Sequence, residues 1–155
     1  MSQKIFLIGL PGAGKTTMGL ELALKLNLHF VDLDQEIEKA EKQTVKAIFE
    51  EHGEAHFRQL ETQHLEKIIR TLPDFVMATG GGTPCFFRNM EVMNSEGITI
   101  YIDTPIDVIQ NRLNLDTSRP LMKSTTLENL LEKRQKWYDQ AQKKVSSLSE
   151  LTSMF

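Results

Sequence analysis

The reading turns on Ile5-Phe6-Leu7-Ile8-Gly9-Leu10-Pro11-Gly12-Ala13-Gly14-Lys15-Thr16. Its apolar start has no polar alternation, as in a strand covered on both faces, and is too short for a signal sequence or a membrane span. Gly9 to Thr16 then satisfies G-x-x-x-x-G-K-[ST]. Glycines let successive backbone N–H groups converge on phosphate oxygens, and a helix opening at the end of the loop adds a dipole that favours an anion. The candidate nucleotide-binding residues here are Gly12, Ala13, Gly14, Lys15, Thr16 and Thr17. Lys15 can reach the β- and γ-phosphates, and the Thr16 hydroxyl is a candidate Mg2+ ligand.

Outward from this loop, further strand-length apolar runs occur at 30–31, 75–78 and 98–102. Segments with helical spacing lie between and beyond them, at 15–26, 57–72 and 127–142. Strands alternating with helices predict an α/β, three-layer fold with a central parallel sheet and functional groups at the carboxyl ends of its strands. Residues 34–60 carry no strong strand signal and read as short helices at 35–42 and 44–52, broken near Gly53. Such an excursion between strands suits a substrate-binding insertion. Residues 114–126 are polar and contain Arg119-Pro120, so they read as a loop rather than a continuous helix.

The chain has 155 residues, which fits one domain spanning 1–155. Its net charge of −3 gives no basic excess to suggest a nucleic-acid partner. Cys85 is the single cysteine, so neither an internal disulfide nor a multi-cysteine metal site is available. The expectation is a cytoplasmic protein without a membrane segment, working as a monomer on small molecules. No asparagine precedes a lysine, so a guanine reader of the Asn-Lys-x-Asp type is absent. With no second domain to move, the phosphate loop points to small-molecule phosphoryl transfer.

Acids follow two of the apolar runs. Asp32-Leu33-Asp34 offers Asp32 as a metal ligand, and Asp34 as a group that orients a substrate hydroxyl or takes its proton. Asp34 also suits a helix N-cap. Ile98-Thr99-Ile100-Tyr101-Ile102-Asp103 makes Asp103 a rival metal ligand on pattern alone, although Asp103-Thr104-Pro105 is an ordinary helix start as well. After the run at 75–78 come Thr79-Gly80-Gly81-Gly82, glycines that suit a ligand approaching the backbone closely. Cys85, Phe86 and Phe87 read as packing residues, and Trp137 and Tyr138 as core or cleft wall.

Taken in order, these motifs resemble the shikimate kinase family from Lys4 to about Ala141. The resemblance rests on the phosphate loop through Thr17, Asp32-Leu33-Asp34 with Ile37-Glu38, and Ile48-Phe49 leading to Gly53-Glu54-Ala55-His56-Phe57-Arg58 with Glu61. It continues through Thr79-Gly80-Gly81-Gly82, Arg119-Pro120-Leu121, and Arg134 with Tyr138 and Ala141. It implies transfer of the ATP γ-phosphate to the 3-hydroxyl of shikimate, in aromatic amino-acid biosynthesis. It also implies a five-stranded parallel sheet in the order 2-3-1-4-5, with a helical substrate-binding insertion at about 34–60 and a lid at about 114–126.

By position, Asp34, Arg58, Gly81 and Arg134 match shikimate contacts, with Gly80 and Gly82 beside them. Lys15, Arg112 and Arg119 match nucleotide contacts, and Thr16 and Asp32 match magnesium contacts. Lys15, Asp34 and Arg119 are the expected catalytic residues, and the resemblance moves the metal ligand from Asp103 to Asp32. The residue types suit these roles. Shikimate is a carboxylate, for which arginine offers a planar fork, and Arg119 in a lid can balance charge on the transferring phosphoryl group.

The family usually has glycine where Lys42-Gln43 stand, and it continues after Ala141 with a fifth strand, an adenine-side loop and a final helix. Here the chain continues Lys143-Lys144-Val145-Ser146-Ser147-Leu148 and ends at Phe155. The expectation is therefore a fifth strand that is short or absent and an adenine loop that cannot be assigned. The alternatives are a related small-polyol kinase such as a gluconate kinase, and an ATP-binding relative without catalysis.

Overall fold

A computed structural model describes residues 3–115 and 124–155. Strand β1 (Lys4–Ile8) leads through the phosphate loop into helix α1 (Lys15–Leu26), and β2 (Phe30–Asp32) follows. Helices α2 (Leu33–Glu41) and α3 (Val45–Thr71) form the excursion before β3 (Phe75–Ala78). Then come a 3-10 turn (Thr83–Cys85), α4 (Asn89–Glu96), β4 (Ile98–Ile102), α5 (Ile106–Leu115), α6 (Ser124–Tyr138), β5 (Lys143–Val145) and α7 (Leu148–Ser153).

The strands form one sheet in the order β2-β3-β1-β4-β5, with every neighbouring pair parallel. Ile5 to Ile8 and Phe75 to Met77 are wholly buried at both parities, because helices cover the sheet on both faces. In this order the chain leaves β1 toward one side of the sheet and leaves β3 toward the other. The crevice for a ligand therefore opens between the ends of β1 and β3.

The expected break at Gly53 is present. Gly53 has φ 84° and ψ 169° inside α3, so residues 45–52 and 54–71 are two helical pieces joined by a kink. Helix α2 begins earlier than the sequence pattern suggested, at Leu33, because Asp32 and not Asp34 caps it. The Asp32 carboxylate accepts from the Gln35 N–H at 3.1 Å. Helix α6 stops at Tyr138, short of the predicted 142, in a turn closed by Ala141 N–H donating to the Tyr138 carbonyl.

The fifth strand is present and short. It pairs with β4 in the register Ile100↔Lys143 to Ile102↔Val145. Helix α7 buries Leu151 completely, and Lys25 of α1 donates to the Thr152 carbonyl, so the tail closes back onto the domain. Most of the expected lid, with Arg119, lies outside the described residues. Among the described residues, no helix is long and apolar enough to cross a membrane.

The entry to β4 has no room for a side chain. A Cβ on Gly97 would lie 2.1 Å from the Lys4 carbonyl oxygen of β1, a backbone atom that cannot move aside. Gly97→Ala is expected to destabilise the fold by at least about 2 kcal/mol. Urea unfolding of both proteins measures it, and an unchanged midpoint would contradict this contact.

Candidate active site

The phosphate loop is held in shape from outside. The Thr104 hydroxyl, just beyond β4, donates to the Ala13 carbonyl at 2.7 Å, and Arg112 of α5 donates to the Gly12 carbonyl at 3.2 Å. Gly12 and Gly14 adopt positive φ, 81° and 103°, as the turn into α1 requires. Lys15 is buried and curls back to donate to the Gly9 and Leu10 carbonyls at 2.5 and 3.1 Å. Thr16 and Thr17 are exposed in the first turn of α1.

Asp32 and Thr16 meet at the mouth of this loop. The Thr16 hydroxyl donates to Asp32 Oδ2 at 3.0 Å, while Oδ1 serves the cap of α2. A hydroxyl and a carboxylate side by side form a hard-oxygen donor set of the kind Mg2+ takes. Asp103 lies elsewhere. Its carboxylate is 3.9 Å from the Lys144 ammonium, and its N–H donates to Val145 in β5.

Beyond β3, each of the three glycines is approached by a different side chain. A Cβ on Gly80 would lie 3.1 Å from Asp34 Oδ1, and one on Gly81 would lie 2.9 Å from Arg134 Nη1 and 2.8 Å from Pro11 of the phosphate loop. A Cβ on Gly82 would lie 2.6 Å from Arg58 Nη2. Asp34, Arg58 and Arg134 thus converge on one strip of bare backbone beside the phosphate loop. The structure places Lys15, Thr16, Asp32 and Arg112 around the phosphate loop and Asp34, Arg58 and Arg134 at the glycine strip, while Asp103 lies apart from both.

Arg58 is firmly held. It donates to Glu61 at 3.0 Å and to Glu54 at 3.2 Å, and its guanidinium lies 4.2 Å from the Phe86 ring centroid, with Phe57 and Phe49 nearby. Glu61 is wholly buried and also accepts from the Thr83 hydroxyl at 2.7 Å. Among the described residues, Asp34 Oδ1, Arg58 Nε and Arg134 Nη1 are buried without a hydrogen-bond partner. Burial, together with the nearby carboxylates of Glu61 and Asp32, raises the Asp34 pKa to about 6, although Lys15 pulls it down.

Glu54 and Glu61 have no role on sequence pattern alone, and the structure makes both partners of Arg58. Their spacing from Arg58, four residues before and three after on a helix, was the available signal. Sequence reasoning also misjudged Phe87, which is 60% exposed with φ 50°, whereas Phe86 packs on Arg58 as expected of a packing residue.

A central parallel sheet, a phosphate loop between β1 and α1, and a second cleft lined by acid and arginines define a P-loop kinase domain. The shikimate kinase family model matches residues 11–154. A shikimate kinase from Azobacteroides pseudotrichonymphae is 46% identical over 147 residues, which cover 90% of this chain and 86% of that protein. The shikimate kinase structure from Bacteroides thetaiotaomicron superposes with a TM-score of 0.91 at 37% identity, covering 99% of this chain and 98% of that one. The one from Acinetobacter baumannii, in complex with shikimate, gives 0.89 at 34% identity, covering 99% and 90%. The chain belongs to the shikimate kinase family.

The raised Asp34 pKa has a consequence for the free protein. The folded value lies above the unfolded one, 3.8 rising to about 6. The folded state therefore binds more protons between those pH values, and stability falls as pH rises through them. Asp34→Asn is expected to raise the melting temperature at pH 8 by several degrees, on the order of 1–3 kcal/mol. The gain should vanish below about pH 3, where Asp34 is protonated in both states. Thermal melts at the two pH values test this, and an equal gain at both would refute a charge origin.

Proposed function

We propose that this chain transfers the γ-phosphate of ATP to the 3-hydroxyl of shikimate, giving shikimate 3-phosphate and ADP. The observation that carries the reading is the cleft beside the phosphate loop, where an unpaired carboxylate oxygen and unpaired arginine N–H groups face bare glycine backbone. A ring bearing both hydroxyls and a carboxylate satisfies all of them. A small polyol without a carboxylate would leave the arginine donors unmet.

The residues divide the work as follows. The backbone of Gly12, Ala13 and Gly14 with Thr17 cradles the phosphates, and Lys15 exchanges its loop carbonyls for phosphate oxygens. Thr16 and Asp32 hold Mg2+, which when bound neutralises phosphate charge. Arg112 and Arg119 bind the nucleotide, and Arg119 also balances charge on the transferring group.

Arg58 and Arg134 hold the shikimate carboxylate against Gly80, Gly81 and Gly82. Asp34 accepts from the acceptor hydroxyl, orients it toward the γ-phosphate and can take its proton, with a pKa near the working range of a general base. Shikimate and ATP are the partners, and the protein acts on them as a cytoplasmic monomer.

An ADP-release assay with Mg-ATP, comparing shikimate, gluconate and no acceptor, tests the reading directly. Release only with shikimate supports it. ATP binding without turnover on any acceptor would favour a non-catalytic relative.

Within that assay, Lys15→Ala should lower turnover at least about a hundredfold, since it removes fixed charge at the transferring phosphate. Near-normal activity would refute the assignment of the loop. Arg58→Lys should raise the KM for shikimate at least about tenfold and leave that for ATP nearly unchanged, because the planar fork is lost. Equal weakening of both substrates would remove Arg58 from the acceptor pocket.

A further inference from the structure

Tyr138 stands one helical turn after Arg134 on α6, so the two side chains share a face. It is wholly buried and is the largest side chain with no exposure. Its ring packs on Tyr101 of β4 at 5.0 Å between centroids, which fixes α6 to the sheet. Its hydroxyl reaches the other way and donates to the Gly81 carbonyl at 2.6 Å. Gly81 is the glycine whose missing side chain leaves room for Arg134 Nη1 and Pro11. One phenol thus connects the sheet, the helix that carries Arg134 and the bare loop that faces the substrate.

We propose that Tyr138 is a positioning residue for the acceptor: its hydroxyl sets the separation between the glycine loop and Arg134, the two walls between which the acceptor carboxylate sits. The proposal rests on the functional reading above. Packing alone accounts for the ring but not for a hydroxyl aimed at a carbonyl of the substrate loop. Phenylalanine would fill the same space. Burial keeps the phenol protonated well beyond the ordinary tyrosine range, so it serves as a donor at any working pH. Arg134 lies against the Tyr138 phenol, and its Nη1 has no hydrogen-bond partner among the described residues. Loosening the loop would widen the gap that this atom spans and weaken the acceptor more than the nucleotide.

Tyr138→Phe removes the hydroxyl and keeps the ring. The KM for shikimate should rise roughly three- to tenfold, the loss expected for one neutral hydrogen bond, with the KM for ATP within about twofold and kcat within about threefold. Placing 4-aminophenylalanine at position 138, which restores a donor, should recover most of the affinity. Thr99→Val serves as a control. Thr99 is a wholly buried hydroxyl on β4 bonded to Asn94 and Gln142, and its loss should lower the melting temperature without moving the KM for shikimate.

Trp137, the single tryptophan, gives a binding readout independent of turnover through its fluorescence during shikimate titration. Absence of shikimate turnover and binding in the unaltered protein would overturn the functional reading and this proposal with it. If the unaltered protein binds shikimate, an affinity in Tyr138→Phe within about twofold of it overturns the proposal alone. So does a parallel loss for ATP, or an equal loss in Thr99→Val.

Discussion

The site depends on the parallel pairing of β1 with β3. Leu7 stands opposite Ala78, so the two strands end level and their following loops emerge side by side. The Leu7 carbonyl accepts from both the N–H and the hydroxyl of Thr79, at 3.2 and 2.9 Å, which pins the start of the glycine loop to the end of β1. The two loops then run so close that Pro11 occupies the space a Gly81 side chain would need. The phosphate loop and the glycine loop are brought together by backbone hydrogen bonding before any charged group contributes.

Charge is then distributed unevenly across this crevice. Arg58 is compensated twice, by Glu54 and by wholly buried Glu61, and that arrangement aims its guanidinium at the cost of removing an ion pair from water. Asp34 Oδ1 has no hydrogen-bond partner among the described residues, and burial with the nearby Glu61 and Asp32 opposes its ionisation while Lys15 favours it. Ionised Asp34 therefore costs the free protein stability as pH rises through its raised pKa.

Much of this was legible in the residues. The phosphate loop and the sheet follow from local pattern, because a glycine turn between strand and helix needs no distant partner. Arg58 and Arg134 were readable only through the resemblance to a family, since each alone is an ordinary helical residue, whereas Asp34 stood out by its place after β2. The sequence pattern left Asp34 open as a cap, and the structure gives that place to Asp32. Two acids spaced by one residue can exchange the role, and only the position of the Gln35 N–H decides between them. The pairing of Glu61 with Arg58 is encoded in helical spacing, but its contact with Thr83 and that of Tyr138 with Gly81 cross long stretches of chain, which no local periodicity encodes.

Strand β5 reaches the phosphate loop through β4. Strand β5 is only Lys143–Val145, and of the three residues Val145 alone is buried. Its contribution is to the backbone of β4. The Val145 carbonyl accepts from the Asp103 N–H at 2.8 Å, which fixes the path of the chain as it leaves the sheet. The next residue is Thr104, whose hydroxyl holds the Ala13 carbonyl of the phosphate loop. Two residues further on, α5 begins and brings Arg112 to Gly12. The last strand therefore supports the phosphate loop through β4, and a short strand suffices because its register, and not its buried area, carries that support.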